Sequence, residues 1–301
     1  MRLPTTLFLS VIGTFTGAFS AFAAETGQSE RLVYSLMVGG LHVGDAVVAL
    51  EQNSTTYTTD LKMASSGALK LVSAMRAQLH GHGTVASSAN GITMLPSSHE
   101  SSWSTDDAAG KMTMTFDPNT RAATTSERIF NPATGADMKR EDLPWNKRAK
   151  IPEVPEKMRT NVLDPMAAFL SARRQVIAAN GASQTSFRIP IFDGTRRYDI
   201  VGKIAPVKAV TIDGKSQTLL PVTVKLEPVF GFLPQSEEKM KEWEGKLYFT
   251  TDQRMIPVQI IAGGDMMSAV MNLSADCNAE PQACATVEAA AQIGPQQAQA
   301  N

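Results

Sequence analysis

Residues 161–202 read NVLDPMAAFLSARRQVIAANGASQTSFRIPIFDGTRRYDIVG and join the clearest helix of the chain to its clearest hairpin. Asp164 is placed to accept the free first-turn amides, Pro165 suits the first helical position, and Asn180-Gly181 supplies a left-handed stop. These signals frame a helix of about 15 residues. Met166, Phe169, Leu170, Val176 and Ile177 recur on one side at helical spacing, so the helix is expected to lie against a sheet. Arg173 falls in the middle of that apolar side. A buried guanidinium needs a carboxylate partner, or a place at a cavity mouth where its planar fork takes the anionic head of a ligand. On the second alternative Arg173, Phe169 and Leu170 are the candidate ligand-binding residues.

Beyond the helix, residues 187–192 and 195–201 flank Asp193-Gly194, a two-residue hairpin signal. A turn there sets Phe187 opposite Ile200, Arg188 opposite Asp199, Ile189 opposite Tyr198 and Ile191 opposite Arg196. Pro190 cannot donate to a ladder, so its strand is expected at an edge or with a bulge. Further strands are expected at 203–212, 217–229, 245–250, 257–261 and 266–273, with a turn at Asp213-Gly214 and a short helix over 236–243. The Ala- and Gln-rich tail after Cys284 is expected to fray.

Upstream, LVYSLMV and LHVGDAVVAL flank Gly39-Gly40, and YTTDLKMA completes a three-stranded meander. A diglycine turn faces Val38 with Leu41, Leu36 with Val43 and Tyr34 with Asp45, leaving Met37 and His42 on the other side. Residues 66–75 suggest a short helix. From 76 to 85 Arg76, Gln78, His80, His82 and Thr84 share one face and Ala77, Leu79, Gly81, Gly83 and Val85 the other, where the small residues imply close approach of another backbone. Strands are expected at 91–96, 111–116 and 121–129, with a polar loop at 97–102.

The resulting fold class is mainly β, a long curved antiparallel sheet, spiral or half-barrel, wrapped about one central α-helix. The expected division is a signal peptide at 1–23, an N-terminal meander at 24–130, a Pro-rich charged loop at 131–160, the helix and C-terminal strands of the same fold at 161–275, and a disulfide-closed, disordered tail at 276–301. Residues 1–23 combine Arg2, an apolar stretch and the small residues Ala21 and Ala23, the form of a cleaved secretory signal, and no later stretch reaches membrane-spanning length. With 28 basic and 29 acidic residues the chain has no nucleic-acid footprint. Cys277 and Cys284, the only cysteines, are expected to form a local disulfide in an oxidising compartment.

The stretches VYSLMVGGLHVGDAVV, NVLDPMAAFLSARR, FRIPIFDGTRRYDIVG and KLYFTTDQRMIPVQI, in that order, resemble the exported bacterial family catalogued as domain of unknown function 3108, over most of the chain after the signal. The resemblance implies a Gram-negative periplasmic protein with a curved sheet about a helix, similar in outline to lipoprotein-carrier folds and to another periplasmic envelope-integrity family. It implies no activity and no binding residues.

The chemistry legible in the residues is thin. His80 and His82 point the same way on a strand but lack further ligands in any metal-binding pattern, so no metal and no cofactor are expected. His99 beside Glu100 is triad-like in one dimension only, and no G-x-S-x-G turn is present. The 15 methionines fill irregular cores and also line adaptable apolar surfaces. These readings converge on a periplasmic, non-catalytic protein holding an apolar, lipid-like ligand or an extended segment of a peptide or periplasmic protein partner. The alternatives are an interaction scaffold with a packed interior, acting through the 131–160 loop, and a hydrolase of unrecognised type.

Overall fold

The computed structural model describes residues 28–67, 74–88, 91–143, 151–179, 185–264 and 267–292. Its strands are β1 (Gln28–Val38), β2 (Leu41–Gln52), β3 (Thr56–Ser65), β4 (Arg76–Ser88), β5 (Gly91–Ser104), β6 (Ala109–Phe116), β7 (Ala123–Phe130), β8 (Asp137–Met138), β9 (Ser186–Phe192), β10 (Arg197–Ile204), β11 (Lys208–Ile212), β12 (Lys215–Phe230), β13 (Glu244–Phe249), β14 (Pro257–Gly264) and β15 (Met267–Asp276). The helices are α1 (Pro165–Ala179), α2 (Pro234–Glu242) and α3 (Pro281–Ala290). The strands make one 15-stranded open sheet, ordered β8-β7-β6-β5-β4-β3-β2-β1-β15-β14-β13-β12-β10-β9, with β11 paired on β12. Every strand pair in it is antiparallel, and the first and last strands pair with each other in its middle. That pairing satisfies the backbone of β1 on both sides, which its buried position requires.

Helix α1 forms where its caps place it: Asp164 Oδ1 accepts the amides of Met166 at 2.9 Å and Ala167 at 3.0 Å. Its side chains enter two core clusters. Met166, Ala167 and Leu170 pack with Leu32, Tyr34, Val48, Leu50, Tyr57 and Met94, while Ala168 and Val176 pack with Phe187, Ile189, Ile191, Ile204, Leu220 and Phe249. Phe169 is half-buried against the first cluster. The stop signal Asn180-Gly181, residues 68–73 of the short helix expected at 66–75, and the signal at 1–23 lie outside the described residues.

Two registers differ from those read in the sequence. Gly39 and Gly40 take φ of 56° and 81° and Val38 opposes Leu41, but a bulge between Leu36 and Met37 moves Leu36 opposite Gly44 and Tyr34 opposite Ala46. The bulge takes Asp45 away from Tyr34; its carboxylate instead accepts from Ser66 Oγ at 2.9 Å and meets His42 Nε2 at 2.9 Å. In the β9–β10 hairpin Phe192 opposes Arg197, Ile191 opposes Tyr198, Ile189 opposes Ile200 and Phe187 opposes Gly202. The turn sits one residue later than Asp193-Gly194 because Asp193 Oδ1 holds the amides of Thr195 at 2.9 Å and Arg196 at 2.6 Å. The slip is by two positions, so each face keeps its composition. Asp213-Gly214, with φ of 48° and 75°, is a two-residue turn joining Ile212 to Lys215.

Pro190 lies in β9, at the end of the sheet order, as its missing N–H demands. Its carbonyl accepts from Leu163 N at 2.9 Å, and Phe192 N donates to Leu163 O at 3.0 Å. On its other flank the same segment pairs near β7, with Ala123 N donating to Arg159 O at 2.9 Å and Asn161 N to Arg121 O at 3.1 Å. Residues 159–163 therefore bond to the end strand β9 and to β7, the second strand from the other end.

Two polar stretches are more ordered than their composition suggests. Residues 97–102 belong to β5, paired with β4 on one side and, from Ser98 on, with β6 on the other, across a bulge at Ser97 that reverses the inward phase of 91–96 and turns His99 inward. Residues 281–290 form α3 rather than a frayed tail. Cys284 carries α3 onto Val33, Val47 and Ala275, and the carbonyls of Ala290 and Ala291 accept from Arg76 Nε at 3.1 Å and Gln78 Nε2 at 2.9 Å. No helix among the described residues is long and apolar enough to cross a membrane.

Candidate functional site

Across β5, β6 and β7 the rows Trp103–Gly110–Ile129 and Ser101–Met112–Glu127 lie side by side on one face. Gly110 makes room for the indole: a Cβ there would stand 2.5 to 2.8 Å from atoms of the Trp103 ring. The β9–β10 turn comes down on the second row, where Gly194, at φ 93°, leaves no space for a side chain against the Met112 thioether. Between the turn and the strands lies a cavity of about 560 Å³. Its apolar wall is Met75, Trp103, Met112, Ile129 and Leu143. The volume falls within the range of small-molecule pockets.

The charged groups of the wall are unequal in their partners. Glu127 and Arg140 neutralise each other through Arg140 Nε to Glu127 Oε2 at 3.2 Å and a second contact from Nη2 to Oε1. Asp193 has no such cation bonded to it among the described residues; its Oδ1 is held by the turn amides, and burial pushes its carboxyl above the usual range. Those amides and the guanidinium groups of Arg196 and Arg140 oppose that rise. The Tyr198 phenol is raised by burial and then by the Asp193 charge. A second cleft of about 370 Å³ shares Glu127, Arg140 and Thr195 with the cavity.

Arg173, Phe169 and Leu170 do not line this cavity. Arg173 is 6% exposed, and its fork grips Glu30 with Nη1–Oε2 at 2.6 Å and Nη2–Oε1 at 2.9 Å. Its Nε donates to Met255 O at 3.1 Å, and Nη2 also reaches Arg254 O. The fork that sequence reasoning offered to an anionic ligand is thus occupied by the protein itself, while Leu170 is core. Trp103 and Met112 lie on neighbouring strands, but no local pattern joins them to Asp193, which only the fold brings onto them.

The histidines separate by face. His80 Nδ1 meets Asp60 Oδ1 at 2.8 Å and His82 Nδ1 meets Ser98 Oγ at 2.9 Å, both exposed. No group of three or more ligand-type side chains suited to a metal occurs among the described residues. His99 points inward, 1% exposed, with Nδ1 3.2 Å from Oδ1 of fully buried Asp164 but poorly aligned for a hydrogen bond. Glu100 points outward on the same strand, so the two form no triad. Gly81 admits this contact, since a Cβ there would stand 2.8 Å from Thr59 Oγ1 and 3.5 Å from Asp164 Oδ1. His99, Asp164 and Tyr57 make a buried polar cluster at the start of α1. Cys277 and Cys284 are disulfide-bonded, with Cα atoms 5.7 Å apart.

A family model described as "Protein of unknown function (DUF3108)" matches residues 33–273. No curated protein matches the chain. Among solved structures, one described as a beta-barrel-like protein of domain of unknown function DUF1849 from Brucella abortus superposes with a TM-score of 0.49 at 13% identity, covering 82% of this chain and 95% of that one.

Proposed function

The chain belongs to the DUF3108 family of unknown function, and from that premise we propose that it is a non-catalytic periplasmic protein that holds an apolar, lipid-like ligand in support of the cell envelope. The cavity walled by Trp103, Met112, Ile129 and Leu143 carries this reading. Methionine and aromatic walls accept flexible aliphatic chains with little directional demand. Hydroxyls of Ser101, Thr105 and Thr195 also line it, but no imidazole stands among them to activate a nucleophile, which favours holding over hydrolysis.

The placement in the periplasm draws on the signal-like residues 1–23 and on the Cys277–Cys284 disulfide, which belongs to oxidising compartments. We also read the open sheet as curving about α1. The presence of α1 side chains in both principal core clusters supports this, as does the reach of residues 159–163 from β9 at one end of the sheet to β7 near the other. Native mass spectrometry of protein taken from its own periplasm, followed by titration with an aliphatic fluorescent probe, tests the function. Co-purified lipid, or probe binding lost in Trp103→Ala and Met112→Ala, is expected; neither lipid nor probe binding would end the carrier reading.

A further inference from the structure

We propose that the ligand of this cavity is an amphiphile whose head donates hydrogen bonds, a cationic amine above all, and that Asp193 reads that head. The inference rests on the carrier reading and deepens it. Three observations set the sign of the head group. The cavity wall holds three charged side chains, Glu127, Arg140 and Asp193. Glu127 and Arg140 cancel in a two-point ion pair. Arg196, the other cation near Asp193, lies with its guanidinium carbon 5.6 Å from the centre of the Phe232 ring, and no ion pair joins it to Asp193 among the described residues. Among the described residues, the charge left without a bonded partner on the wall is therefore negative.

The carboxylate is also held in place. Its Oδ1 is fixed by the amides of Thr195 and Arg196, and the Gly194 position that makes the turn is pressed on Met112 of the cavity wall. Oδ2 receives no hydrogen bond within the described residues. A half-buried acceptor of fixed direction beside an apolar wall discriminates head groups by charge: an ammonium gains a charge-assisted hydrogen bond, a hydroxyl a weaker one, and a carboxylate meets repulsion. The one guanidinium placed for an anionic head from the sequence, Arg173, is taken by Glu30.

Three probes of equal chain length and different head, dodecylamine, dodecanol and dodecanoate, test this below their micellar concentrations at neutral pH. Binding is read from tryptophan fluorescence, with Trp103→Phe identifying the cavity signal. The amine is expected to bind about tenfold or more tighter than the carboxylate, the size such a bond supplies, and Asp193→Asn is expected to bring the amine down to the affinity of the alcohol. Dodecanoate binding as tightly as dodecylamine to the wild-type chain overturns the assignment while leaving the cavity reading in place. An amine preference that survives Asp193→Asn overturns it as well. No binding of any of the three overturns both.

Discussion

Arg173 of α1 and Glu30 of β1 stand 143 positions apart and meet as a buried bidentate ion pair, 2.6 Å and 2.9 Å across its two bonds. The pair lies where several segments converge. Arg173 also holds the carbonyl of Met255, which has φ 46°, and Arg254 runs from Glu30, at 3.4 Å, to Asp276 at 2.6 Å. The Arg173 guanidinium thus ties the helix to β1 and to the loop before β14, and that of Arg254 carries the link on to β15.

Removing one partner strands the other in a dry site. Arg173→Met is expected to lower stability by about 3–5 kcal/mol and Glu30→Gln by a smaller amount, with the double variant clearly less destabilised than the sum of the two. Urea unfolding of all four proteins measures the coupling. Additive effects would mean that the pair contributes nothing beyond its separate contacts.

Gly110 is the residue that lets the Trp103 indole lie across β6. Gly110→Ala places a methyl within about 3 Å of the ring and drives it toward the cavity, at a cost of about 1–3 kcal/mol. The expected result is a shifted tryptophan emission and weaker binding of an aliphatic probe, while far-ultraviolet circular dichroism stays that of the wild type. An unshifted emission would show that the ring has room elsewhere.

Burial raises the Asp193 carboxyl, so the folded state binds its proton more tightly than the unfolded state does. The resulting stability is present below the ordinary carboxylate range and is lost as pH rises through the raised value. Asp193→Asn keeps the turn acceptor and removes the charge, so it is expected to melt above the wild type at pH 7. The gap should close as pH falls below about 4. A pH-independent gap would place the effect outside the carboxyl's ionisation.

Asp164 caps α1 and faces His99 at once. Asp164→Ala is expected to lose about 1–2 kcal/mol from the cap, with a further loss from the isolated His99. Asp164→Ser, which restores the cap alone, should recover only part of it in thermal unfolding. Full recovery would leave His99 no share in holding the helix.

The disulfide closes a short loop that anchors α3 on β1 and β2. Its removal by Cys277→Ser with Cys284→Ser is expected to cost about 2–3 kcal/mol and to raise hydrogen exchange along α3 first. Exchange unchanged in α3 would show that Val287 and Ala283 suffice to hold it.

Local signals settled what is local. Asp164-Pro165 set the start of α1, Gly39-Gly40 and Asp213-Gly214 set their turns, and the missing N–H of Pro190 sent β9 to the sheet's edge, because each depends on the backbone of a few neighbouring residues. The helical phase of residues 166–177 likewise put Arg173 inward. Its partner was not legible: Glu30 lies in a distant strand, and only the place of β1 in the sheet, between β2 and β15, brings it to the helix. Long-range pairing also decided the bulge at Leu36, the β9–β10 register, the inward turn of His99 and the docking of α3, since each is chosen by what packs on the far side. The cavity belongs to the same class, for Trp103, Met112 and Asp193 become one wall only after the β9–β10 hairpin folds back on β5 to β7.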